Sequence, residues 1–347
     1  MRRIICLIFA VLLCIISVSA TEFSAPDPPD TAKQYMPDTT TSFWQDLWFI
    51  IKKAIAQFYP SIKSASTTCF CILTVIALIS LLNGQGGHAG KAVELAGTIS
   101  VATMLLSPSN ALIALGIKTV TEIAEYGKLL LPVMTASLAA EGGSVTSVAL
   151  YTGTLLFNSV LSSGITKLLI PMLYAFVALS IAVASIDEQV LKNIHSFIKW
   201  LITWTLKITI YLFTGYLGIT SVVSGTADAA AVKATKLAIS GSVPVIGSII
   251  SDASEAILVS TGVIKNAAGS YGLLAILAIW IGPFLQIGFQ YILLKATAAI
   301  GGVFGNKQTV KLIDSFGVTM GYLLAATGTV CLLLLISTVC FMKGVGN

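Results

Sequence analysis

The chain has 347 residues, of which 56% are hydrophobic and only 10% charged, against about 25% charged in soluble domains. That composition excludes a water-soluble globular fold, whose surface could not hide so much apolar area, and makes lipid the expected solvent. The formal net charge of +5 comes from scattered lysines and arginines rather than a basic block, so membrane lipid, and not nucleic acid, is the expected partner.

At the N-terminus, Arg2 and Arg3 precede an apolar run from Ile4 to Val18 and the small residues Ser19 and Ala20. This is the pattern of a signal peptide over residues 1–20, with a retained anchor as the alternative. Residues 21–42 hold four of the ten prolines and many polar side chains, and read as a disordered extracytoplasmic linker. Then Trp44, Leu47, Trp48, Ile51, Ile55 and Phe58 recur at helical spacing, predicting an amphipathic helix over 43–60 that Pro60 should close. Trp44 and Trp48 are candidate interface residues, placed for a membrane surface or a partner.

Residues 64–347 form a multi-span region. Ser64 to Leu82 is uncharged and long enough to cross a bilayer, and a turn follows at Asn83 to His88. Lys91 to Ser107 is apolar and should break at Pro108. Lys118, Glu122, Glu125 and Lys128 stand three and four residues apart, a spacing that supports a helix with internal ion pairs; we prefer a solvated or interfacial face to a charged pore lining. Leu129 to Gly143 carries Pro132 inside its apolar run and suggests a broken or re-entrant helix.

Further uncharged or nearly uncharged segments follow at 144–166, 168–185, 201–223, 271–294 and 316–342. Gly282-Pro283 should kink the fourth of these. Gly317 and Gly321, four apart in the last, are candidate helix-packing residues, within one chain rather than between two. Asp187 to Lys199 is a polar connection, and His88 and His195 read as surface residues. The expected fold class is therefore all-α: a polytopic integral membrane protein with about seven transmembrane helices plus amphipathic and re-entrant helices. With a cleaved signal and seven spans, Lys343 would lie in the cytoplasm.

One stretch departs from this pattern. Gly241 to Lys265, GSVPVIGSIISDASEAILVSTGVIK, carries Asp252 and Glu255 three apart with uncharged segments around them. Either Ser251 or Asp252 caps a helix whose first turn holds Glu255 in water, or Pro244 and Gly247 make a re-entrant break and the acids line a polar path. Gly241, Pro244, Asp252, Glu255 and Lys265 are the candidate channel or assembly residues. A shift of 98 positions aligns Gly143-Ser144-Val145 with Gly241-Ser242-Val243, and Ser162 to Lys167 with Ser260 to Lys265. This possible internal duplication sets Thr154 and Phe157 opposite Asp252 and Glu255.

Catalytic signatures are missing. There is no phosphate-binding G-x-x-x-x-G-K-[ST] loop, no G-x-S-x-G elbow and no H-E-x-x-H, and the chain holds two histidines. The expectation is a non-enzyme with no cofactor and no metal site. Cys69, Cys71, Cys331 and Cys340 all sit in apolar segments, where a thiol acts as a small apolar group.

LLLPVMTASLAAEGG (Leu129 to Gly143), GSVPVIGSIISDASEAILVSTGVIKNAAGSYGLLAI (Gly241 to Ile276) and GYLLAATGTVCLLLLISTVCFM (Gly321 to Met342) resemble the stage III sporulation protein AE family of endospore-forming bacteria. The resemblance covers roughly residues 40 to 347. It implies a multi-pass protein of the mother-cell membrane that surrounds the forespore. Such a protein belongs to a channel complex between the two cells, with a separate ATPase subunit and other stage III subunits as partners, and supports late forespore development. The family brings no catalytic residues to carry over. The alternatives are a self-sufficient secondary transporter or exporter permease, and a non-conducting membrane scaffold.

Overall fold

The last helix of the chain is its centre. In a computed structural model, described over residues 25–37, 42–83, 88–140, 144–186, 188–223, 267–304 and 307–343, all regular structure is helical. The helices are α1 (Asp30–Lys33), α2 (Phe43–Asn83), α3 (His88–Ala140), α4 (Ser144–Gly164), α5 (Ile170–Ser185), α6 (Gln189–Val223), α7 (Ala267–Gly301) and α8 (Lys307–Lys343). Most of α8 is buried, including Phe316, Met320, Leu323, Leu324, Ala326 and the run Cys331–Leu335. A helix apolar on every side needs neighbours all round it, and α8 has them in α7, α3, α5, α4 and α6.

The contacts fix directions. Thr98 meets Thr309, and Asn158 lies beside Ala124. Thr203 meets Tyr322, and Tyr216 meets Ser337. Lys295 meets Asp314, whereas Gly269 lies against Met342. Thus α3 and α6 run with α8, while α4–α5 and α7 run against it. Helix α2 runs with α7, since Phe58 packs on Phe289 and Ile76 on Gly301. The start of α2 and the end of α8 consequently share one end of the bundle, whereas seven spans would have set Lys343 across the membrane from the N-terminal region.

Five helical stretches among the described residues are long and apolar enough to cross a membrane: Phe43–Leu82, Ala92–Ser137, Leu150–Ser185, Ala268–Phe304 and Lys307–Met342. The sequence suggested about seven because it split 144–185 at Lys167 and took 201–223, which lies within α6, as a span of its own; it also read prolines as stops. Instead α2 passes through Pro60, α3 through Pro108 and Pro132, and α7 through Pro283. In membrane proteins neighbouring helices, side-chain hydroxyls and local adjustments of the ladder let a helix continue through a proline. Pro171 does leave a mark. It has no N–H for the carbonyl of Lys167, and the ladder widens into a π turn over Ile165–Leu169, where the Ile170 N–H reaches Ile165. The segments at 144–166 and 168–185 are therefore one span with a π bulge, not two.

The stretch expected to be a linker is packed. Ala32 is fully buried and Tyr35 and Met36 nearly so, in a strap formed by residues 25–37 that lies against α3 and α7. Tyr35 fits because position 282 is glycine: a Cβ there would stand 2.7 Å from the Tyr35 hydroxyl. In the first half of α2 the buried face is Phe43, Leu47, Ile50 and Ala54, while Trp44, Trp48 and Ile55 point outward.

Candidate functional site

Gly241, Pro244, Asp252, Glu255 and Lys265 lie outside the described residues. Gly317 and Gly321 face α7, where a Cβ would come within 3.5 Å of Leu294 and 3.1 Å of the Tyr291 ring respectively. Trp48 is 68% exposed and Trp44 45%, so both are open to lipid or to a partner.

Between the spans the structure brings together polar groups that the sequence did not join. Tyr216, buried on α6, hydrogen-bonds through its hydroxyl to Thr154 of α4 and to Ser337 of α8, the latter at 3.0 Å. Its ring packs on Phe157, 4.5 Å between centroids. Thr154 and Phe157 are the positions set opposite Asp252 and Glu255 by the 98-residue shift, and both converge on this tyrosine. One turn along α4, the buried Asn158 donates from Nδ2 to the Ala124 carbonyl at 3.2 Å. The signal for Asn158 was present in the sequence, since it is the one side-chain amide in 144–166. Most other buried hydroxyls, among them Thr319, Thr329 and Thr338, donate to the carbonyl four residues earlier in their own helix. They are therefore satisfied without water, and the centre of the bundle is a packed core.

A second cluster flanks α8. His195, expected at the surface, is half-buried: it stacks on Phe176 at 4.5 Å and shares a hydrogen bond with Ser180 at 2.9 Å. The sequence showed only its polar neighbours, not that α6 folds back on α5. Nearby, Thr203 bonds Tyr322 at 2.9 Å, and Lys295 pairs with Asp314 at 2.6 Å. Burial, and secondarily Lys199, hold the His195 pKa below the usual histidine value. Between that lowered value and about 6.5 the unfolded chain binds the extra proton, so His195 contributes its stability above about pH 6.5 and loses it as pH falls through the folded value. Thermal unfolding in detergent from about pH 7.5 to about pH 5 should show a steeper loss in the wild type than in His195→Gln; parallel curves would reject this.

The third polar group lies on α3. Lys118, Thr121, Glu125 and Lys128 are exposed along one side of the helix, and Glu122 beside them is partly buried. Glu122 accepts a hydrogen bond from Thr31 of the strap at 2.6 Å and pairs with Lys118 at 3.8 Å. In hydrocarbon each such charge would cost about 2.5–3.5 kcal/mol. Among the described residues, no three His, Cys, Asp or Glu side chains converge as metal ligands.

Long apolar helices around a buried central helix, tied by hydroxyl contacts, define a polytopic, membrane-embedded helical protein. The chain belongs to the stage III sporulation protein AE family, whose model matches residues 33–344. It is similar to stage III sporulation protein AE of Bacillus subtilis (strain 168), 20% identical over 208 residues, which are 60% of this chain and 52% of that relative. The match thus spans about half the length of the relative. No solved structure matches.

Proposed function

We propose that the protein is a membrane subunit of the channel complex that joins mother cell and forespore, working with other stage III subunits and a separate ATPase. Membership of a sporulation protein family over residues 33–344 carries this reading. Helix length supports it: at 1.5 Å per residue the 53 residues of α3 extend about 80 Å, far beyond a hydrocarbon core of about 30 Å, which gives reach for partners outside the bilayer. The outward Trp44 and Trp48 offer a face for one of them. The protein sits in the mother-cell membrane around the forespore, delivered by its N-terminal signal, and Asp252 and Glu255, with Gly241, Pro244 and Lys265 around them, serve conduction or assembly.

The test is a strain lacking this chain, scored for late forespore transcription and heat-resistant spores. Both should fall and return when the chain is restored. Restoration with Asp252→Asn and Glu255→Gln together, at normal protein level, should fail. Full sporulation of the null strain would overturn the subunit reading, and full rescue by the double variant would remove the two acids from it.

A further inference from the structure

We infer that the side of the bundle formed by the α3 stripe Lys118–Lys128 and the strap 25–37 is the wet wall of the conduit, facing water at mid-membrane depth while other sides of the bundle face lipid. The inference deepens the channel-subunit reading and rests on it for its purpose, though not for its geometry.

Depth comes from the helix contacts. Gly116 of α3 lies against Leu323 and Gly127 against Leu334. Residues 118–128 are therefore level with the middle of the uncharged run Ser315–Met342 of α8. The strap is at the same level. Thr31 bonds Glu122, the Tyr126 hydroxyl reaches the Pro26 carbonyl at 3.4 Å, and Tyr35 lies on Gly282, near the middle of the uncharged run Ala267–Leu294 of α7.

Two independent features then exclude lipid on this side. Lys118, Glu125 and Lys128 project outward as a cluster that includes an acid. At the same depth Lys167 and Lys207 are exposed singly, and a lone lysine can snorkel along its apolar stem whereas a cluster with a carboxylate cannot. The strap is non-helical outside Asp30–Lys33 and presents the almost fully exposed Asp30 carboxylate and the half-exposed Lys33. Irregular backbone persists at membrane depth only where protein or a water-filled cavity surrounds it. At the same level on α4, one turn or less from Asn158, Leu156 and Val160 are exposed at 61% and 62%, as a lipid-facing surface should be.

The wall has a chemical character. Two lysines, Lys118 and Lys128, flank two glutamates, Glu122 and Glu125, along α3, so it has no net single-sign field of the kind that selects cations or anions. It suits small hydrated polar solutes, neutral or zwitterionic, rather than one class of ion.

Single cysteines at Thr121, Glu125, Leu156 and Val160, in a full-length chain freed of its native cysteines and assembled in sporulating cells, test this. A membrane-impermeant, water-requiring thiol reagent should modify positions 121 and 125 about tenfold or more faster than 156 and 160. In the assembled complex reconstituted with brominated phospholipid, a fluorophore at 156 or 160 should be quenched and one at 121 or 125 should not. Equal, slow modification at all four positions overturns the wall. Fast modification at all four overturns it as well, because this level would then lie outside the membrane. Either result is read independently of the null-strain spore count that tests the subunit reading.

Discussion

Gly116→Leu is expected to lower the unfolding temperature in detergent by pushing α3 off the central helix, a destabilisation of about 1–3 kcal/mol. Gly116 packs on Leu323, whose Cγ would stand 2.8 Å from a new Cβ. Leu323 is fully buried, and close-packed interiors resist movement of such a side chain. The substitution would also replace a poor helix former with a good one, so any gain in propensity works against the prediction and a loss is the more telling. Gly164→Ala is the control. Nothing lies within 4 Å of a Cβ there, and the helix should gain up to about 1 kcal/mol. Equal melting of the two variants would mean that α3 and α8 do not meet at this point.

Tyr216→Ala should cost more, about 3–5 kcal/mol, because it empties a ring-sized volume among Phe157, Thr154 and Ser337. Tyr216→Phe separates packing from hydrogen bonding. It keeps the ring and removes the hydroxyl that Thr154 and Ser337 share, a loss of about 1 kcal/mol, since interhelical hydrogen bonds in membranes average well below the value their surroundings suggest. Unfolding of the three proteins in one detergent should give the order wild type, Phe, Ala. A Phe variant as unstable as the Ala variant would show that the hydroxyl network, and not the ring, holds α4, α6 and α8 together.

These contacts also divide the bundle by role. Among the described residues the core around α8 is a packed centre, closed by local hydroxyl–carbonyl bonds and tight glycine contacts. The clustered exposed charges at depth, Lys118, Glu125, Lys128 and the strap's Asp30 and Lys33, lie on the α3–strap side. The break expected at Leu129–Gly143 is instead a helix continuing to Ala140.

The sequence by itself determined the solvent and the class. Charge content and uncharged runs of span length require a helical membrane protein, because in lipid every backbone group must be satisfied within its own segment. Three segments identified the family. The spacing of Lys118, Glu122, Glu125 and Lys128 announced one charged helix face, though not what stands opposite it. Only the tertiary structure decided which prolines end helices, since whether a bare carbonyl is tolerated depends on the neighbours that cover it. It alone showed that Tyr216, Thr154 and Ser337 meet, that His195 is half-buried, and that residues 25–37 pack as a strap. The side-chain hydrogen bonds among these groups join positions 15 to 121 residues apart, and helical periodicity reports only which face a side chain takes, never the helix it will find there.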